Sequence, residues 1–149
     1  MKFFDYIKDN KEKEIDIYFD MDGVICEYDI GNFDYSTIRP INNTINLMKR
    51  LIDEGYNVYI LSICKTNKIV DEKYEYLDKY MPFFDRENAI FLSKEEITGE
   101  SKDMKSDYLT NNINKEHVNI LVDDDITVIK KISSDNKEVK VFHISSIVE

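Results

Sequence analysis

Two carboxylates stand one residue apart where an apolar, β-rich stretch of the sequence ends. Asp20 and Asp22 follow the run that begins at Ile15, and Gly23 comes directly after them. Because side chains two positions apart on an extended segment point to the same face, both carboxylates face the same space. Such a pair of like charges persists when a hard cation lies between the oxygens, or when one carboxyl holds a proton for catalysis. Since Gly23 also lets the chain turn sharply, the pattern predicts a catalytic turn.

Further polar side chains stand where other predicted strands end. Ser62 closes the second apolar run, and Asp123 and Asp124 directly follow the fourth. Lys105 lies in the helical segment before that fourth run. Ligands of open α/β sheets bind at the carboxyl edge of the strands, so we expect these side chains to meet Asp20 in one site.

Alternating strand and helix patterns must position these residues. Apolar runs predict five strands, over residues 15–19, 57–62, 89–92, 118–122 and 139–142. Helical spacing and end signals predict a helix that Pro40 opens and Gly55 ends, others over 67–80 and 102–109, one beginning near Ile126, and a short amphipathic helix within 1–10. This alternation is typical of an α/β protein, and 149 residues without a linker predict a single domain over 1–149.

Composition excludes several classes of function. The formal charge of −10 argues against general nucleic-acid binding, which needs clustered Lys and Arg. Charges interrupt the apolar residues at the N-terminus, so we expect neither a signal peptide nor a membrane span, and we expect a cytoplasmic protein. Cys26 and Cys64 form no CxxC pair, so we interpret both as small apolar side chains of the interior rather than as part of a zinc site or a disulfide.

The combination of these motifs resembles the haloacid dehalogenase (HAD) superfamily of phosphohydrolases. Its four motifs have counterparts here over about residues 15–132, namely Asp20-Met21-Asp22-Gly23-Val24, Ser62, Lys105 and Asp123-Asp124. The resemblance implies a Rossmann-like three-layer sandwich with a central, mostly parallel sheet. Only 16 residues, 24 to 39 inclusive, lie between Gly23 and Pro40, so we expect a short cap-like loop and a nearly open site.

Five shorter segments are similar to one branch of that superfamily, the 5'(3')-deoxyribonucleotidase-like enzymes. They are Gly31-Asn32-Phe33, Arg39-Pro40, Glu72-Lys73-Tyr74, Lys105-Ser106-Asp107-Tyr108-Leu109 and Ile120-Leu121-Val122-Asp123-Asp124. In that branch an aromatic residue after the glycine helps to form the substrate pocket. The similarity therefore makes Phe33 the candidate pocket residue, with Arg39 as a helper, and Tyr28 and Tyr35 lie in the same aromatic loop.

The resemblance also implies a role for each acidic residue. Asp20 is the implied nucleophile and metal ligand, which forms an aspartyl-phosphate. Asp22 is the implied acid and base, and its backbone carbonyl is a further metal ligand. Asp124 completes the protein ligands, with Asp123 either assisting or hydrogen-bonding to a ligand, and which of Asp123, Asp124 and Asp125 binds the metal stays open. An all-oxygen site of this kind suits Mg²⁺, which neutralises the repulsion between an anionic nucleophile and a phosphoryl group.

Two residues are implied to bind the transferring phosphoryl oxygens. Ser62 donates a hydrogen bond, and Lys105 supplies a positive charge that also holds Asp20. Lys102 lies one helical turn earlier and is the rival of Lys105, because residues three apart share a helix face. The fit of Lys105 to a Lys-x-Asp-Tyr pattern favours Lys105.

Each pattern also has a plainer interpretation. Asp20 and Asp22 fit a solvated turn, and the acidic triplet from Asp123 fits a helix cap. His117 and His143 have no partner at ligand spacing, which favours structural roles. The charged helix from Lys68 to Lys79 is predicted to be a solvated face with local ion pairs.

Together these observations predict a Mg²⁺-dependent phosphomonoesterase with a small phosphorylated substrate, nucleoside monophosphates being the leading class. The alternatives are a phosphatase for another small phosphoester, such as a sugar phosphate or an oligonucleotide end, and a non-catalytic phosphoryl-binding module of the same fold. A homodimer is a further expectation, because a capless domain often needs a partner to cover its site.

Overall fold

Five strands form one parallel sheet in the computed structural model, which describes residues 1–147. Every neighbouring pair of strands is parallel, and the order across the sheet is β3-β2-β1-β4-β5. The strands are β1 (Ile15–Phe19), β2 (Asn57–Cys64), β3 (Ala89–Ser93), β4 (Val118–Asp123) and β5 (Val139–His143). The α/β fold predicted from the alternating pattern is confirmed.

Helices cover both faces of this sheet. They are α1 (Phe3–Asp9), α2 (Asn42–Asp53), α3 (Asn67–Tyr80), α4 (Ser101–Asn112) and α5 (Ile126–Asp135), with short 3₁₀ turns at Arg86–Asn88 and Ile144–Ser146. Side chains alternate along β1, so Ile17 and Phe19 pack in the core beneath α1, α2 and α3, whereas Tyr18 packs in the core beneath α4 and α5. The three-layer arrangement is therefore confirmed. None of the helices within residues 1–147 is long and apolar enough to cross a membrane.

Most predicted bounds differ from the observed ones by a few residues at the ends, and the differences at α2 and β2 affect the site. Helix α2 begins at Asn42 and not at Pro40, because Pro40 pairs with Cys26 in an antiparallel bridge and Ile41 N–H donates to Ile25 O at 2.7 Å. Strand β2 continues past Ser62 to Cys64, because β3 pairs with it along this whole stretch. Ser62 therefore lies inside the strand rather than at its end.

The loop between β1 and α2 forms no helix, which agrees with the short cap-like loop predicted from the sequence. Its two ends are buried, through Ile25 and Cys26 on one side and Tyr35 and Ile38 on the other. Its tip is exposed, including Tyr28. The loop is thus anchored to the domain beside the carboxyl edge of β1.

Both histidines have structural partners. His117 Nδ1 lies 3.0 Å from the carboxylate of Asp16, at the amino edge of the sheet. His143 Nε2 lies 3.2 Å from the backbone oxygen of Asp124 and so supports the loop after β4.

Candidate active site

The turn after β1 carries the first acidic pair. Asp20 continues the strand by one residue, because its N–H donates to Val122 O at 3.0 Å. The chain then turns, and the N–H groups of Ile25 and Cys26 both donate to Met21 O. Gly23 has a φ of +82°, a left-handed conformation that glycine adopts without steric cost. The Asp-x-Asp-Gly sequence therefore folds as the predicted sharp turn.

Three carboxylates converge above this turn. Asp20, Asp123 and Asp124 each offer an oxygen, and these oxygens lie within 4.8 Å of one another. Asp20 and Asp123 are buried, and Asp124 is half-buried. Within residues 1–147 this is the only group of three or more such side chains that can hold a metal ion.

One buried ammonium group partly balances this charge. Lys105 Nζ lies 2.9 Å from Asp20 Oδ1 and 2.7 Å from Asp123 Oδ2. Lys102, its rival, is 41% exposed and pairs only loosely with Glu100, at 3.5 Å. The structure thus brings Lys105, and not Lys102, into the acidic group.

The pKa values of the group reflect its burial. Burial raises the pKa of Asp20 well above its usual range, although the Lys105 ammonium opposes that shift. Burial also raises the pKa of Asp124, and the nearby Asp123 carboxylate adds to the effect. Burial alone would lower the pKa of Lys105, but Asp20 and Asp123 reverse the shift and raise it. The charged forms of Asp20 and Asp124 are thus disfavoured in the protein alone, and a bound cation would favour them.

This donor set fits a hard divalent cation. All three side chains are carboxylates, the oxygen ligands that Mg²⁺ prefers, and their spacing allows one ion to touch them all. Asp125 has a different role, since its carboxylate accepts a hydrogen bond from Thr127 N at 2.8 Å and caps α5. Among the acidic triplet, Asp123 and Asp124 therefore belong to the group of carboxylates that could hold a metal ion, and Asp125 does not.

The side chain of Asp22 lies outside that group. The Tyr35 hydroxyl donates to Asp22 Oδ1 at 2.7 Å, and Lys73 Nζ donates to Asp22 Oδ2 at 2.9 Å. The carboxylate is 28% exposed and also lines the open cavity at this edge of the sheet. Asp22 is thus held apart from the cluster while it faces the same space.

Lys73 is a residue of this site that the sequence analysis missed. The prediction that its helix face is solvated is wrong at this position, because the Lys73 side chain is completely buried. Its ammonium donates to Asp22, to Ser62 Oγ at 2.7 Å and to Ile63 O at 3.1 Å. A signal was present, since Lys73 lies four residues from both Ile69 and Leu77 and therefore on the apolar face of α3.

The residues predicted to act in catalysis, phosphate binding or metal binding line one open cavity of about 330 Å³. Asp20, Asp22, Ser62 and Lys105 share it with the two acidic residues at the end of β4. Its remaining wall is formed by Tyr28, Ile63, Ser101, Asp125 and Val128. The structure therefore brings together the carboxylates, the hydroxyl and the ammonium that the motifs singled out.

The two predicted pocket residues lie elsewhere. Phe33 is not among the lining residues of this cavity, and its half-exposed ring lies under Lys65 Nζ at 4.4 Å. Arg39 lines a neighbouring hollow of about 340 Å³, whose wall Tyr28 shares. Tyr28 is thus the aromatic side chain that reaches the cavity itself.

Comparisons with known proteins bear on the fold. No protein-family profile and no curated protein matches the chain. A chain of the Pnkp1/Rnl/Hen1 complex is similar in structure, with a TM-score of 0.71 and 18% identity, covering 88% of this chain and 46% of that one. The chain thus spans less than half the length of that structural relative.

Two solved phosphatase structures are also similar. One is the class C acid phosphatase from Bacillus anthracis with tungstate bound, with a TM-score of 0.59 and 13% identity, covering 97% of this chain and 73% of that one. The other is the N-terminal part of a Bacteroides fragilis protein, which contains a phosphatase domain complexed with Mg. Its TM-score is 0.59 at 15% identity, and the match covers 92% of this chain and 38% of that one. These likenesses confirm the HAD-like fold, whereas the deoxyribonucleotidase-like branch stays a prediction.

Proposed function

We propose that the chain is a phosphomonoesterase that uses Mg²⁺ and acts through an aspartyl-phosphate on Asp20. The observation that carries this proposal is the group of Asp20, Asp123 and Asp124 at the open carboxyl edge of the sheet, with the buried Lys105 ammonium bridging Asp20 and Asp123. The likeness to phosphatase structures, one of them complexed with Mg, supports it.

In this proposal Asp20 attacks the phosphorus atom of a bound phosphomonoester. Lys105 holds Asp20 Oδ1, which leaves the second carboxylate oxygen for the attack. The new bond joins that oxygen to phosphorus, while the bond from phosphorus to the ester oxygen breaks. Asp22 gives a proton to the departing alkoxide, then takes one from the water that opens the aspartyl-phosphate, and inorganic phosphate leaves.

Asp20, Asp123 and Asp124 would hold the cation, with the backbone carbonyl of Asp22 as a further ligand. When bound, Mg²⁺ neutralises charge on the nucleophile and on the phosphoryl oxygens. Ser62 and Lys105 stabilise the same oxygens by a hydrogen bond and by charge. Both line the cavity beside Asp20, which supports these roles.

Nucleoside monophosphates are the substrate class we propose first. Tyr28 offers an aromatic face at the cavity wall, on which a base can stack. The terminal phosphate of an RNA is the second candidate, because the chain is similar to part of an RNA repair complex and its minimal cap leaves the cavity open. The net charge of −10 counts against that second candidate.

A non-catalytic phosphoryl-binding module is less well supported. Binding phosphate does not require an acid beside the nucleophile, yet Asp22 is present and is held by two hydrogen bonds at the cavity. A module that only binds would have no use for that arrangement.

Phosphate release from a substrate panel tests the proposed function. The panel comprises nucleoside monophosphates, a sugar phosphate and a 3'- or 5'-phosphorylated RNA oligonucleotide, each assayed after EDTA treatment with and without added Mg²⁺. We expect release only when Mg²⁺ is added, and the preferred substrate identifies the class. Mg²⁺ binding without release from any substrate would contradict the proposed activity and favour the binding module.

Replacing Gly23 by alanine is expected to weaken Mg²⁺ binding about tenfold or more, the size of effect seen when the supports of metal ligands are altered. A β-carbon at this position would overlap the Asp124 carboxylate, which must then move away from Asp20. Isothermal titration with Mg²⁺ measures the change.

Gly31→Ala is the matched control for this substitution. Gly31 has nearly the same φ, +83°, but a β-carbon there meets no atom within 4 Å. Both variants bear the backbone cost of a left-handed alanine, roughly 1–2 kcal/mol, and they differ in whether the new β-carbon overlaps the Asp124 carboxylate. Equal Mg²⁺ affinity in the two variants would remove Asp124 from the ligand set.

A further inference from the structure

Asp22 is held by two residues that the proposed mechanism does not use. We propose that Lys73 and Tyr35 are positioning residues, which fix the Asp22 carboxylate toward the leaving group and away from the cation. This inference rests on the proposed function, in which Asp22 exchanges protons with the leaving group and the water. We call Tyr35, Asp22 and Lys73 the clamp.

The clamp engages both oxygens of Asp22 from different parts of the fold. Tyr35 reaches Oδ1 at 2.7 Å from the loop between β1 and α2, and Lys73 reaches Oδ2 at 2.9 Å from α3. Lys73 is completely buried and Tyr35 is nearly so. Because packing restricts both donors, the carboxylate has one preferred orientation and keeps its remaining exposed side toward the cavity.

An acid in this position needs such restraint. Asp22 lies two residues from Asp20, next to three carboxylates that are spaced to hold a cation. A free carboxylate there would itself become a metal ligand, because hard cations attract every nearby anionic oxygen. The side chain of Asp22 nevertheless stands outside that group, on the side of α3. The clamp thus separates proton transfer from metal binding on one short turn.

Lys73 also determines how the Ser62 hydroxyl can act. An ammonium group has donors only, so Ser62 Oγ must accept in its 2.7 Å hydrogen bond with Lys73. The hydroxyl proton cannot point back at Lys73 and is free to be donated to a phosphoryl oxygen in the cavity that Ser62 lines. One buried lysine therefore positions both the acid and a phosphate-binding donor.

A purely structural role for these contacts is the alternative. Lys73 also donates to Ile63 O, and Tyr35 packs edge-to-face on Tyr76 at 6.1 Å, so both residues contribute to packing. The two roles differ in what they predict for different leaving groups. A misplaced Asp22 slows the formation of the aspartyl-phosphate only for those substrates whose leaving group needs a proton, and kcat/KM reports this step. The later hydrolysis of the aspartyl-phosphate is common to all substrates and does not enter kcat/KM. Damaged packing, by contrast, lowers kcat/KM for all substrates alike.

Tyr35→Phe tests the clamp with two substrates that differ in their leaving group. Para-nitrophenolate departs as a stable anion, whereas the alkoxide of glycerol phosphate must be protonated. We expect kcat/KM to fall about tenfold for glycerol phosphate and to stay within about twofold for para-nitrophenyl phosphate, since a positioned acid contributes about 10²–10⁴-fold. Measuring both rates on one sample gives a ratio that does not depend on the fraction of folded protein.

Tyr76→Phe is the matched control, because it removes a hydroxyl from the neighbouring buried tyrosine. That hydroxyl donates to Ile38 O at 3.1 Å and does not contact Asp22. We expect the ratio of the two rates to match that of the parent. A selective loss in Tyr76→Phe as large as that in Tyr35→Phe would overturn the inference.

Lys73→Met provides the second test, since it removes the other donor to Asp22 at similar length. We expect the same selective loss, together with weaker inhibition by inorganic phosphate because Ser62 loses its partner. A ratio equal to that of the parent in both variants would overturn the clamp while the phosphatase activity stands. Phosphate release by the parent protein neither from these two substrates nor from any member of the panel would overturn the proposed function and the clamp together.

Discussion

Asp20→Asn is expected to abolish phosphate release, with a loss of about 10³-fold or more in kcat, as is typical when a covalent nucleophile is removed. An amide oxygen is a poor nucleophile and cannot form the aspartyl-phosphate. The position itself tolerates the change in shape, because Asn and Asp have almost the same size. The measurement is Mg²⁺-dependent phosphate release on the best substrate of the panel.

The same substitution is expected to leave the metal-free protein at least as stable as the parent. Burial already disfavours the charged form of Asp20 and raises its pKa, and Asp123 lies close to the same lysine. Removing one of three clustered carboxylates relieves repulsion, at the expense of one ion pair with Lys105. Addition of Mg²⁺ should stabilise this variant less than the parent, because one ligand has lost its charge. Thermal unfolding with and without Mg²⁺ measures both effects.

Asp16→Asn is the matched control, since Asp16 lies on the same strand and is also buried. Its carboxylate contacts His117 and Asn57 at the opposite edge of the sheet. We expect this variant to keep Mg²⁺-dependent release when assayed well below its unfolding temperature. Retention of activity in Asp20→Asn would contradict the nucleophile assignment, and equal loss in both variants would attribute the effect to folding.

The sequence predicted the framework of the site because its signals are local. Apolar runs that stop at Asp20 and at Asp123 mark strand ends, and parallel strands bring such ends to one edge. The Lys-x-Asp-Tyr pattern favoured Lys105 over Lys102 within α4, and the structure places Lys105 in the acidic group. Local sequence patterns were thus sufficient to predict both the α/β fold and the meeting of Asp20 with Asp123 and Asp124.

The remaining features depend on tertiary packing and carry little local signal. Lys73 looks like one more charge on a polar helix, and only the docking of α3 against β2 buries it beside Ser62. The loop between β1 and α2 gives no periodicity, so its sequence could not reveal that Tyr35 packs inward while Phe33 stays at the tip. The bridge between Cys26 and Pro40 likewise delays the start of α2 through a long-range contact.

Lys105→Met is expected to damage stability and activity together. The substitution keeps the length of the side chain but leaves Asp20 and Asp123 buried without their cation. Removing one partner of a buried ion pair destabilises a protein by about 3–5 kcal/mol, because the remaining charge is uncompensated. Chemical denaturation at neutral pH measures the loss. We also expect kcat to fall by about 10²-fold or more, since the developing charge on the phosphoryl group loses its donor.

Mg²⁺ should restore part of the lost stability in Lys105→Met but little of the lost activity. A divalent cation can neutralise the carboxylates of the cluster, yet it cannot replace an ammonium that holds Asp20 Oδ1 in place. Lys102→Met is the matched control, because this lysine lies on the same helix, is partly exposed and has Glu100 as its ion-pair partner at 3.5 Å. We expect it to change stability by less than about 1 kcal/mol, the usual worth of an exposed ion pair, and to leave kcat unchanged. A similar loss in both variants would mean that the helix, and not the buried charge of Lys105, supports the site.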